Sequence, residues 1–142
     1  MADVRESYKA MTLRILSNFQ LLELTLKLYI GRAYELIGLS LNGRMHFDYS
    51  VADVENFPLE RLLNVFGKLN GNRELLERLN KLRAQRNHVA HESLIIVMGT
   101  IYDKEVVQKK HGEFFYLEDE LTECLDLVVE ETKALHSGFA GK

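Results

Sequence analysis

Apolar residues recur every three or four positions through most of this chain. The first run is Val4, Tyr8, Met11, Ile15, Phe19, Leu22, Leu26, Tyr29, Ala33 and Ile37, the spacing of one helix face. Asp3 is placed to cap it and Gly38 to follow its last turn, so a helix is predicted from Asp3 to Gly38. Leu13, Leu16, Leu21, Leu24 and Leu28 lie off that stripe. A helix apolar on more than one side is expected at the centre of a fold or at a subunit interface. Pro58 suits the first turn of a second helix, with Leu59, Leu62, Leu63, Phe66 and Leu69 buried and Asn70-Gly71 ending it. Asn72 caps a third helix that runs to about Met98. A fourth begins near Leu117, with Glu118, Asp119 and Glu120 in its first turn, where the helix dipole favours acids. Its core positions are Leu117, Leu121, Leu125, Val128 and Leu135.

Two stretches interrupt the helical period. Between residues 39 and 57, Asn42-Gly43 marks a turn, and the alternation from Arg44 to Tyr49 suggests a short hairpin. Ser50, with Asp53 three residues on, can cap a single helical turn. Near 101–116, Val106-Val107, His111-Gly112 and Phe114-Phe115-Tyr116 suggest a β-hairpin insertion. Four amphipathic helices with short connections imply an all-α fold, an antiparallel helical bundle, as one domain over residues 1–142.

Composition narrows the class. The 142 residues are 46% hydrophobic and 27% charged, the balance of a globular domain. The one cysteine, Cys124, excludes an intrachain disulfide and fits a reducing compartment. No cationic-then-apolar leader opens the sequence. The most apolar stretch, Phe19 to Ile30, carries Glu23 and Lys27 and is too short to span a bilayer. A cytoplasmic protein without a membrane segment is therefore expected. The formal net charge of −3 argues against a uniformly basic nucleic-acid binder, but the charge is uneven. Residues 73–91 hold Arg73, Arg78, Lys81, Arg83 and Arg86 against Glu74 and Glu77, whereas 113–131 hold eight acids and no lysine or arginine.

The basic segment contains the string KLRAQRNHVAHE, Lys81 to Glu92. On a helical projection Leu75, Leu79, Leu82, Val89, Ala90, Ser93 and Val97 gather on one side, and Arg86 falls among them. A guanidinium in an apolar sector needs a partner, either a carboxylate such as Glu23, Glu35 or Glu60, a subunit interface or a bound phosphate. Leu76, Asn80, Arg83, Asn87, His91 and Leu94 form a second stripe a quarter-turn away, where Asn87 and His91 are i, i+4 neighbours. Arg86 and His91 diverge on one helix, so two copies meeting across a two-fold axis would bring both kinds of group into one cleft. His88 and His91 also have the His-x-x-His spacing that can bind zinc, but nothing selects further ligands among His46, His111, His136 and Cys124. No metal site and no cofactor is expected. No phosphate-binding glycine loop or dinucleotide turn is present.

At Arg86-Asn87-x-x-x-His91 the chain resembles the HEPN superfamily (higher eukaryotes and prokaryotes nucleotide-binding). The resemblance rests on the arginine, the polar residue after it, the histidine and the all-helical frame, and covers nearly the whole chain. It implies a metal-independent endoribonuclease working as a homodimer; the double-sided first helix and the Arg86–His91 spacing predict the same, with the third helices near the axis. In that reading Arg86, Asn87 and His91 are catalytic: His91 exchanges a proton with the ribose 2′-hydroxyl, Arg86 holds the scissile phosphate, and Asn87 orients His91 or binds phosphate. Arg83, Asn80 and His88 are candidates to hold substrate. The family also implies RNA as partner, roles as a toxin or in phage defence, and restraint by an antitoxin or other neighbouring-gene protein. Its non-catalytic members imply an alternative, a module that only binds RNA, nucleotide or protein.

Overall fold

The computed structural model describes the backbone of residues 4–98 and 104–140 and the side chains of residues 6–89 and 113–137. Its described residues form four α-helices and one short 3-10 turn, with no strand among them. The helices are α1 (Val4–Leu41), α2 (Leu59–Leu69), α3 (Arg73–Met98) and α4 (Lys104–Ala140), and the 3-10 turn is Val51–Val54. Among the described residues no helix is long and apolar enough to cross a membrane.

The first apolar stripe is the spine. Tyr8, Ile15, Phe19, Leu22, Leu26, Tyr29 and Ile30 are all at most 1% exposed. α1 continues past Gly38, and the left-handed residues that end it are Asn42 (φ 51°) and Gly43 (φ 77°). α4 covers one side of α1 with Phe114, Leu117, Leu121, Cys124 and Val128, and Tyr8 stacks on Phe114 at 5.4 Å between ring centroids. α2 and α3 cover another side, with Leu62, Leu63, Phe66, Leu75, Leu79 and Leu82.

Helix directions differ from the expected antiparallel order. Arg14 pairs with Glu118 and Arg32 with His136, both at an offset of 104 residues, so α1 and α4 run parallel. α3 runs against both: Arg86 meets Glu23 on α1, while Arg78 and Asn72 meet Glu120 and Glu131 on α4. α2 opposes α3, with Arg83 meeting Glu60 and Leu76 lying against Gly67. α2 therefore shares the direction of α1, and the chain must travel back between them. Residues 44–58 make that return. Phe47 lies beside Gly38, Tyr49 beside Tyr34 and Val51 against Gly31. The stretch from residue 41 back to the level of Glu23 is roughly 27 Å of helix, well within reach of fifteen residues at about 3.3 Å each. The hairpin read from Arg44 to Tyr49 is thus an extended return strap, while the Ser50–Asp53 cap is present, with Ser50 N donating to Asp53 Oδ2 at 2.7 Å.

The hairpin read near 101–116 is also replaced. Residues 104–116 belong to α4, and residues 101–103 lie outside the described ones. Phe114 and Tyr116 would share a face in a strand. Here Phe114 is buried with Leu117, whereas Phe115 and Tyr116 are 56% and 77% exposed. The spacing Phe114, Leu117, Leu121, Cys124, Val128 is helical throughout, and it outweighs the strand preference of the aromatics.

Two glycines set close approaches. A Cβ at Gly31 would lie 2.8 Å from Val51 Cβ, an atom fixed to the strap backbone. One at Gly67 would lie 2.9 Å from Leu76 Cδ2, the end of a flexible side chain. Alanine gains about 1 kcal/mol of helix propensity over glycine, and overpacking costs about 1–3 kcal/mol where neighbours cannot yield. Gly31→Ala is expected to lower the unfolding free energy and Gly67→Ala to leave it within about 1 kcal/mol of the parent, as compared by chemical denaturation. Equal effects at both sites would contradict this packing.

Candidate functional site

The turn between α2 and α3 is tightly specified. Asn72 caps α3 by accepting from Leu75 N at 3.1 Å, and its own N–H donates to Asn70 Oδ1 at 2.7 Å. Buried Asn70 donates through Nδ2 to Tyr29 Oη at 3.0 Å, tying the turn to α1. Burial raises the Tyr29 pKa, with the bond from Asn70 opposing it. Arg73 donates to the carbonyls of Gly67 and Asn70, the last carbonyls of α2. Its guanidinium is thereby committed to closing the turn.

From that turn α2 and α3 diverge enough to leave a groove of about 410 Å³, lined by Asn64 and Lys68 on α2 and by Asn80 and Arg83 on α3, with Glu60 at its rim. A smaller cavity of about 90 Å³ continues it, lined by Pro58, Leu59, Glu60, Arg83, Arg86 and Asn87. Asn80, Arg83, Arg86 and Asn87 therefore share one continuous surface. Arg83 Nη1 stands 3.9 Å from Glu60 Oε1, and Arg86 Nη2 stands 3.3 Å from Glu23 Oε1.

The apolar-sector arginine thus has a carboxylate partner, one of the three named from the sequence. Glu23 is the more buried member, with its side chain 19% exposed against 37% for Arg86. A guanidinium carries five N–H donors in a rigid fork. One side of Arg86 is oriented by Glu23, and the fork retains donors for an oxyanion in the same cavity. Asn87 is exposed beside it. Both reach this cavity within a single chain; the pair expected to need a second copy is Arg86 and His91.

His88 does not join them. It lines a different groove of about 570 Å³, between α3 and α4, together with Glu113, Asp119, Glu120 and Glu123. That wall is acidic, and the structure does not bring His88 together with Asn80, Arg83, Arg86 and Asn87. His91 lies within α3, and its side chain falls outside the described residues. Asn64 and Lys68 were missed in the sequence. Their signal was faint, an i, i+4 polar pair on the face of α2 opposite its leucines.

The α3–α4 contact holds this arrangement in place. Arg78 Nε donates to Glu120 Oε1 at 2.7 Å, and Arg78 Nη2 stands 3.2 Å from Glu123 Oε1. The bond from Arg78 pulls the Glu120 pKa down, and the pair raises that of Arg78. Buried Cys124 donates to the same Glu120 oxygen at 3.2 Å, and burial together with that carboxylate pushes its thiol up to about 12. The thiol is therefore held protonated and unreactive. Among the described residues no group of three or more His, Cys, Asp or Glu side chains could hold a metal ion.

The described residues thus define an all-helical domain with a polar, partly basic α2–α3 groove and an acidic α3–α4 groove on opposite flanks of one helix. No protein-family model, no curated protein and no solved structure matches the chain.

Because Glu120 has a depressed folded pKa, its contribution is present above the unfolded carboxylate pKa of about 4.3 and fades as pH falls through the folded value. Arg78→Ala is expected to destabilise the protein at pH 7 and to differ less from the parent below about pH 4. Urea midpoints across pH 3–8 check this, and a difference independent of pH would contradict it.

Proposed function

We propose that the chain is a metal-independent endoribonuclease of the HEPN type, acting on RNA at the α2–α3 groove. The observation that carries the reading is the shared surface of Asn80, Arg83, Arg86 and Asn87, with both guanidinium groups positioned by carboxylates at its edge. His91 stands four residues beyond Asn87 in the same helix. Its imidazole takes the proton of a ribose 2′-hydroxyl, the 2′-oxygen attacks the adjacent phosphorus, and the P–O5′ bond breaks as the 5′-oxygen takes a proton from solvent water. The product end is a 2′,3′-cyclic phosphate. Arg86 faces the charge that grows on the phosphoryl oxygens, where a charge-assisted fork has most effect. Asn87 donates to the same phosphate or fixes the imidazole. Asn64, Lys68, Asn80 and Arg83 hold the strand that leads to it.

A second reading is favoured by the Glu23 contact. A carboxylate already bound to Arg86 competes with phosphate, as Glu60 does at Arg83. A domain that binds RNA or a protein partner without cutting would tolerate that competition better than an enzyme. As an enzyme, the chain fits a toxin or phage-defence effector held in check by an antitoxin. As a binder, it fits a partner encoded nearby.

Single-stranded RNA incubated with purified protein in EDTA separates the two. Cleavage with cyclic-phosphate ends is expected, falling about 100-fold or more in His91→Ala and in Arg86→Ala. Binding without cleavage, weakened by Arg83→Ala, would establish the second reading. Equal cleavage by parent and His91→Ala would overturn the catalytic one.

A further inference from the structure

α1 and α4 run side by side in the same direction, so residues 104 apart share a level. Along their outer seam lies a hollow of about 680 Å³, a volume typical of small-ligand sites. Thr25, Leu28, Val129 and Thr132 line one half of it, and Arg32, Lys133, His136 and Ser137 line the other. From the level of Thr25 to that of Arg32 the axis rises about 10 Å.

The first half is more apolar than its residue types suggest. Thr25 Oγ1 donates to the Leu21 carbonyl at 2.8 Å, and Thr132 Oγ1 to the Val128 carbonyl at 3.0 Å. Both hydroxyls are spent on their own helices, so the threonines add methyl groups to the wall. Beside them Leu28 and Val129 stay 58% and 37% exposed, apolar surface that gains by being covered.

The second half carries positive charge. Among the described residues no carboxylate lines the hollow. Arg32 Nη1 stands 3.1 Å from Glu35 Oε2, and Lys133 Nζ stands 3.4 Å from Glu130 Oε1. Glu35 lines the neighbouring hollow instead, with Tyr49 and Val51. Both carboxylates are more exposed than not, and pairs so exposed hold their members weakly. Arg32 Nη2 lies 3.1 Å from His136 Nδ1. A guanidinium can only donate, so Nδ1 accepts and the neutral imidazole carries its proton on Nε2. The His136 Nε2–H, the Lys133 ammonium and the Ser137 hydroxyl are thus donors at one end of an apolar trough.

We infer that this hollow binds a single-chain carboxylic acid, with its hydrocarbon against Leu28 and Val129 and its carboxylate among Lys133, His136 and Ser137. Charge selects the head group. A carboxylate gains charge-assisted hydrogen bonds there, whereas an amine meets Arg32 and Lys133 as like charges. The site stands apart from the α2–α3 groove. Glu23, through which α1 meets Arg86, lies about 200° around the helix from Thr25. The inference therefore does not rest on the catalytic reading.

Decanoate, decanol and decyltrimethylammonium, each kept monomeric, are the probes, and backbone amide shifts of the full chain are the readout. Decanoate is expected to give saturable shifts at Leu28, Val129, Thr132 and His136 and to raise the melting temperature. Its affinity should exceed that of decyltrimethylammonium by about ten-fold or more and fall by about ten-fold in Lys133→Gln. Leu28→Asn should weaken decanoate and decanol alike. Both side chains already face solvent, so both variants should fold; if either does not, the head-group comparison on the parent decides. Equal affinity for the two charged probes, or shifts that spread to Leu13 and Leu39 without saturating, would overturn the inference. So would binding to phosphatidylglycerol vesicles with no response to monomeric decanoate.

Discussion

The rest of the molecule depends on the burial of one helix face. Tyr8, Ile15, Phe19, Leu22, Leu26 and Tyr29 form a wall along α1 that must be covered on both flanks, because each large apolar side chain left in water costs roughly 1.5–3 kcal/mol. α4 covers one flank by running parallel to α1 along its length, and the short α2 with α3 covers the other. That division decides the topology. A parallel α4 needs α3 to return the chain, and an α2 aligned with α1 needs the strap from residue 44 to 58.

The same division produces two chemically distinct surfaces from one helix. α3 is wedged between α2 and α4, so its two polar edges face different neighbours. The edge toward α2 carries Asn80, Arg83, Arg86 and Asn87, and the polar groups of α2 complete the groove. The edge toward α4 carries Arg78 and His88, and there the acids of α4 take up the positive charge. The net charge of −3 is thus unevenly spread: eight acids lie between residues 113 and 131, where there is no lysine or arginine, while Glu60 and Glu23 pair with Arg83 and Arg86 on the α2 side.

Helix positions and caps were legible in the sequence because they depend on local periodicity and on short hydrogen bonds. Asn72, Ser50 and the stripe of α1 are examples. That Arg86 needs a partner was legible, since an arginine in an apolar sector requires one, but a carboxylate, an interface and a bound phosphate stayed open; Glu23, one of three carboxylates named, is the partner found. Helix direction was not, because nothing local distinguishes a strap from a hairpin between Arg44 and Tyr49. The start of α4 was missed for a related reason. Phe114, Phe115 and Tyr116 favour strands by type, and only the register with Leu117 and Leu121 shows that Phe114 alone is buried. The separation of His88 from its neighbours was likewise hidden until α4 was in place, because it depends on which helix each edge of α3 meets.

The central claim is that the α2–α3 groove, and no other face, receives an anionic strand. Backbone amide shifts recorded while a short single-stranded RNA is added, at low salt and in EDTA, test this directly. Perturbations concentrated at Asn64, Lys68, Asn80, Arg83, Arg86 and Asn87, lost in Arg83→Ala, are the expected result. Perturbations centred on the acidic groove around His88, or spread evenly over the surface, would contradict the account.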